Sequence, residues 1–111
     1  MIVDSVQVIR GQDTPLTETA WQDFFAQEQL IPYRWSNNPH DYYTAHQHLY
    51  HKVVAVVQGS ITFGLPKTDE TISLQAGDRL ILPAEIVHDA TVGNQGVVCL
   101  EAHLAPVQEG T

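Results

Sequence analysis

Six histidines occur in 111 residues, and two of them, His46 and His48, stand at i and i+2 just ahead of a β-branched block. The stretch reads His46-Gln47-His48-Leu49-Tyr50-His51-Lys52-Val53-Val54-Ala55-Val56-Val57. Alternate side chains of a strand share a face, so His46, His48, Tyr50, Lys52, Val54 and Val56 fall on one side. Two neutral imidazoles on one spot suit a transition metal such as zinc, iron, nickel, copper or manganese. Taken alone, the pair is read first as packed or surface histidines.

The elements around this stretch decide which side is inward. Val53 to Val57 favour a strand, and Gln58-Gly59 between two apolar runs has the composition of a two-residue hairpin turn. That turn would pair Val57 with Ser60, Val56 with Ile61, Val54 with Phe63 and Lys52 with Leu65, making the histidine face the core face. Upstream, Met1 to Arg10 alternates as a short strand. Thr14-Pro15 has the form of a helix N-cap and N1, with Glu18 favourably placed in the first turn. A helix of about three turns follows, with Leu16, Ala20, Trp21, Phe24 and Phe25 as its apolar stripe. Ile31-Pro32-Tyr33-Arg34-Trp35 reads as a strand ended by the loop Ser36-Asn37-Asn38-Pro39.

Beyond the central stretch, Thr71–Leu74, Arg79–Pro83, Ile86–Val92 and Val97–His103 read as strands. They are separated by turns at Gly77-Asp78, Ala84-Glu85 and Gly93-Asn94-Gln95-Gly96. One helix and about eight short strands predict an all-β sandwich or barrel. At 111 residues there is one core and one domain. An N-terminal strand and helix occupy residues to about 30, the barrel about 31–104, and residues 105–111 form a frayed tail.

The turn at 93–96 carries a further expectation. It pairs Val92 with Val97, so that His88 faces Glu101 and both enter one pocket. There Glu101 could ligate a metal, accept a proton from the second ring nitrogen of His88, or neutralise Lys52. Tyr50, on the pocket face, could offer its phenol to a ligand. Lys52 either turns outward, is neutral, or is charged beside an anion, and a bulge would bring His51 inward instead. His40 and His103 read as solvated.

Lys and Arg total 5 against 13 Asp and Glu, a formal charge of -8, which repels phosphate backbones and anionic membranes. Nucleic acid and membrane are therefore not expected partners. The single Cys99 excludes an internal disulfide framework, and the N-terminus has no basic region followed by an apolar run, so a cytoplasmic location is expected. Val53, Ala55 and Val57 opposite the histidines, together with the helix stripe, predict a homodimer.

Two segments carry a family resemblance. Gly77-Asp78-Arg79-Leu80-Ile81-Leu82-Pro83-Ala84-Glu85-Ile86-Val87-His88 resembles the second cupin motif, G-x5-P-x-G-x2-H-x3-N. His46, His48 and Gly59 are similarly placed to the first, G-x5-H-x-H-x3,4-E-x6-G. His40 and Glu85 stand where the motifs have glycine, Val92 where the second ends in asparagine, and Lys52 where the first has its metal-binding glutamate. The resemblance implies a small double-sheet jelly-roll barrel with a short N-terminal helix, and His46, His48 and His88 as ligands of a divalent transition metal. It leaves zinc, iron, nickel and manganese undistinguished. Cupins include dioxygenases, isomerases, decarboxylases, storage proteins and sensing domains, so it fixes no reaction. The expected function is binding of a metal and a small organic ligand, with turnover left open. The alternative is a metal-free cupin that binds or senses a small molecule or anion.

Overall fold

A computed structural model describes residues 3–11 and 16–105 of the chain. Seven strands and one helix follow in the order β1 (Gln7–Ile9), α1 (Glu18–Gln27), β2 (Tyr33–Asn37), β3 (Tyr42–His46), β4 (His51–Leu65), β5 (Glu70–Gln75), β6 (Arg79–Leu82) and β7 (His88–Leu104). All strand pairs are antiparallel, and the fold is an all-β jelly roll.

Two long strands form its spine. β4 and β7 pair with each other from His51↔Leu104 to Gly64↔Asp89. On its other edge β4 takes β6 at Lys52 to Ala55 and β5 at Ser60 to Leu65. β7 takes β3 near His88 to Thr91 and β2 at Val97 to Glu101. Each spine strand thus serves both layers.

Both hairpin turns expected in these strands are absent, because β4 runs unbroken through Gln58-Gly59 and β7 through Gly93 to Gly96. Gly59 and Gly96 take φ of 78° and 77°, and the β4–β7 register shifts on either side of Gly59. Glycine permits positive φ in a turn and in a bulge alike, so the local sequence does not separate the two. A bulge reverses side-chain parity as a turn does. Lys52, Val54 and Val56 face inward before it, and Ile61, Phe63 and Leu65 after it. The inward face was read correctly, but the pairing Val57 to Ser60 does not occur; Ser60 pairs with Gln75.

Val54, Val56, Ile61, Phe63, Leu74, Leu80, Leu82, Val92 and Cys99 fill the barrel interior. The opposite face of the spine, Val53, Ala55, Leu100 and Ala102, lies under Trp21 and Phe25 of α1. The expected cap Thr14-Pro15 lies outside the described residues, and the observed cap is Thr17, whose hydroxyl accepts from the Ala20 N–H at 3.1 Å. The two apolar surfaces that motivated a homodimer therefore largely cover each other within one chain. The tail from Pro106 onward also lies outside the described residues.

Candidate metal centre

β3 and β7 meet at His46↔His88, which sets two imidazoles side by side at one end of the barrel. The continuous strand expected from His46 to Val57 is interrupted. Residues 47–50 leave the extended form, and the His48 carbonyl accepts from the Glu85 N–H at 2.7 Å in the 84–85 corner. That link swings His48 toward the other two. One ring nitrogen of each of His46, His48 and His88 lies within 4.8 Å of the others, and the three could hold a metal.

The hydrogen bonds orient the rings. His88 Nδ1 donates to the Ile86 carbonyl at 2.8 Å and His46 Nδ1 to the Thr44 carbonyl at 2.7 Å. A carbonyl only accepts, so the proton sits on Nδ1 and Nε2 is left with its lone pair. His88 is 1 % exposed, and its Nε2 has no hydrogen-bond partner. A buried unpartnered acceptor is costly unless something binds it, and a backbone bond on the far nitrogen is how metal-ligating imidazoles are held. The residues present fit a metal on this observation. Burial, with Lys52, His46 and His48 adding to it against the Ile86 bond, pushes the His88 pKa down to about 4. His48 is lowered by burial and by Lys52. At neutral pH the His88 ring is already the unprotonated form a metal requires.

Below the histidines is a cavity of about 230 Å³ with Ile61, Phe63 and Ala90 as apolar lining and Trp35, Tyr43 and Tyr50 as aromatic walls. Lys52 points into it and does not snorkel outward. Its ammonium is 3.8 Å from Glu101 Oε1 and 5.8 Å from the Phe63 ring centre. Glu101 accepts from Tyr33 Oη at 2.5 Å and Trp35 Nε1 at 3.2 Å, and its Oε2 lies 2.6 Å from His103 Nε2. Burial raises the Glu101 pKa, yet Lys52, Tyr33 and His103 outweigh it and hold the carboxyl below its ordinary value. For Lys52, burial lowers the pKa and Glu101 resists. Tyr33 is pushed well above its usual value by burial and by its bond to Glu101.

Glu101 thus enters the cavity as expected, by a different route. It pairs with Val54 and Tyr33, not with His88. Of its three expected roles, pairing with Lys52 is the one observed. His88 Nδ1 is satisfied by Ile86, and among the described residues no carboxylate is grouped with the three histidines. His51 stays out of the cavity, its Nδ1 accepting from the Ala84 N–H at 2.8 Å. Tyr50 is sandwiched between His48 and His103, with ring centres 4.7 and 3.9 Å away. His103, expected in solvent, belongs to this cluster, and Tyr33 and Trp35 were not foreseen there. The signal existed: His103 is two residues from Glu101 on one strand, and Tyr33 alternates with Trp35.

No protein-family model and no curated protein sequence matches the chain. Solved structures match it closely in shape. A cupin 2 domain-containing protein from Halorhodospira halophila superposes with TM-score 0.68 at 19% identity, over 96% of this chain and 81% of that one. KdgF from Halomonas sp. gives 0.60 at 19%, over 92% and 82%. The fold is that of a cupin. The polyketide cyclase RemF from Streptomyces resistomycificus gives a TM-score of 0.59 at 18% identity, over 72% of this chain and 63% of that one. The cupin fold explains two departures from the motifs. His40 and Glu85 stand where glycine is expected, and both adopt φ of 67°. The left-handed backbone persists although the glycine does not.

Proposed function

We propose that this chain binds a divalent transition metal through His46, His48 and His88 and presents the open side of that metal to a small organic ligand. The observation that carries the reading is the buried, unpartnered Nε2 of His88, locked in its tautomer by Ile86, with two further ring nitrogens in reach. A divalent ion held there by His46, His48 and His88 would supply Lewis acidity toward a ligand oxygen or a water. The chain's own residues do the rest. Phe63, Ile61 and Ala90 desolvate the ligand, and Tyr50 and Trp35 confine it from the sides. Lys52 takes the place of the usual ligating glutamate, and Glu101 neutralises it from below. The fold hosts at least one protein named as an enzyme, the cyclase RemF, which keeps catalysis within the proposal without naming a reaction. No described helix is long and apolar enough to cross a membrane. A homodimer is carried as a proposal from the apolar faces of β4 and α1, and a cytoplasmic location from the single Cys99.

Metal analysis of protein purified without a histidine tag tests the reading. Stoichiometric metal is expected in the wild type, with sharp loss in His48→Ala and in His88→Ala. Undiminished metal in both variants, with the fold intact by circular dichroism, sinks it.

A further inference from the structure

The charges around the cavity restrict what the open side of the metal can take. Three neutral imidazoles leave a dication's charge undiminished, and no carboxylate lies among the nitrogens that face it. Glu101 cannot move up to serve, since Tyr33, Trp35 and His103 hold it at 2.5, 3.2 and 2.6 Å. Lys52 is its most distant partner, at 3.8 Å, beyond ordinary hydrogen-bond length. The ammonium therefore keeps N–H groups free to donate on the cavity side. A loaded site holds the dication's charge beyond what the Lys52–Glu101 pair balances, in a partly desolvated pocket, and among the described residues no second carboxylate lines the cavity.

The Phe63 ring is near both centres of charge. Lys52 Nζ is 5.8 Å from its centre, and the His88 ring centre is 6.3 Å from it. A flat molecule resting on Phe63 reaches both, and the cavity of about 230 Å³ admits one of roughly one aromatic ring. Tyr33, Trp35, Tyr43 and Tyr50 add further flat rings to its wall, beside Ile61 and Ala90. We infer that the ligand of this site is a small flat organic anion, a carboxylate or enolate, which lies over Phe63 with one oxygen toward the histidine cluster and its charge partnered by Lys52. The inference rests on the metal reading given above. Lys52 is then a specificity residue: it selects acid over neutral isostere at a position where the fold's usual glutamate would repel the acid.

The test uses cobalt(II) as the metal and salicylate as the probe, with salicylamide as its uncharged isostere. Cobalt uptake is read first, from visible absorption. Ligand binding is then measured by titration calorimetry on cobalt-loaded wild type, Lys52→Met and Lys52→Met/Glu101→Gln, the last of which leaves no buried charge unpaired. Salicylate is expected to bind wild type more tightly than salicylamide and to weaken by about ten- to hundred-fold in both variants, the range for losing a charged hydrogen bond. Salicylamide should bind all three proteins alike. Salicylate no tighter than salicylamide in the wild type overturns the inference, and that comparison needs no variant to fold. Equal salicylate affinity in wild type and the double variant overturns it too. Failure of the wild type to take up cobalt is a separate result, which removes the metal reading and the inference with it.

Discussion

Lys52 and Glu101 respond unequally to mutation because their other partners differ. Without Lys52, the Glu101 carboxylate still accepts from Tyr33, Trp35 and His103. Without Glu101, the ammonium is left buried with no counter-charge in the chain beside it. Glu101→Leu should therefore lower stability by about 3–5 kcal/mol, and Lys52→Met by less than half as much. Urea denaturation of the two variants checks the order, and a larger loss for Lys52→Met contradicts it. Glu85 offers a change in the other direction. Its φ of 67° is strained for any side chain but natural to glycine, so Glu85→Gly should raise stability by roughly 1 kcal/mol. A lowered melting temperature would refute this. Of the site, His46 and His48 were legible from spacing, and His88 from the resemblance of 77–88 to the second cupin motif; the side taken by Lys52 was left open, and Glu101 was placed in the cavity through a hairpin register that does not occur. The Tyr33 and Trp35 contacts to Glu101 were not legible, since they depend on β2 lying beside β7, whereas the nearness of His103 to Glu101 follows from their i, i+2 spacing on β7.

β5 was readable because its apolar alternation marks one buried face, and β6 because its apolar run Leu80-Ile81-Leu82 is buried on both faces. β3 escaped notice for the opposite reason: Tyr42 to Ala45 are exposed and show no apolar alternation, and its pairing is irregular between Tyr43 and His46. The segment after β1 is tied down by polar contacts instead. Asp78, at the turn before β6, accepts from the Gly11 N–H at 2.8 Å, the Gln75 N–H at 3.0 Å and the Arg10 guanidinium at 3.0 Å. Burial raises its pKa, but these donors prevail and hold it below the ordinary carboxylate value. A carboxyl whose pKa is depressed by folding stabilises the fold above its unfolded pKa, about 4, and loses that contribution as pH falls through the folded value. Asp78→Asn should lower the melting temperature at pH 7 and flatten its fall below about pH 4. Parallel melting curves for the two proteins from neutral to acid pH would show that the ion-dipole cluster contributes nothing.

Across the whole molecule the residues brought together are far apart in sequence, with His51 beside Leu104 and His46 beside His88. Such topologies fold slowly, because loop closure precedes the contacts that reward it. A metal that ligates only the folded chain should raise the unfolding midpoint by an amount that grows with free metal concentration, and His88→Ala should abolish the dependence. The bulges at Gly59 and Gly96 are stacked, so that a side chain at Gly59 would collide with the Gly96 carbonyl. The two layers consequently have no seam between them. They bend across the same pair of strands and cannot part like the covers of a book, so amide exchange along β4 and β7 should be equally slow on both sides of the bend. The strand pairing is interrupted at the 47–50 link, with Leu49 exposed at its tip and His48 and Tyr50 on either side, so the proposed metal ligand His48 and one wall of the cavity are carried on one short connection.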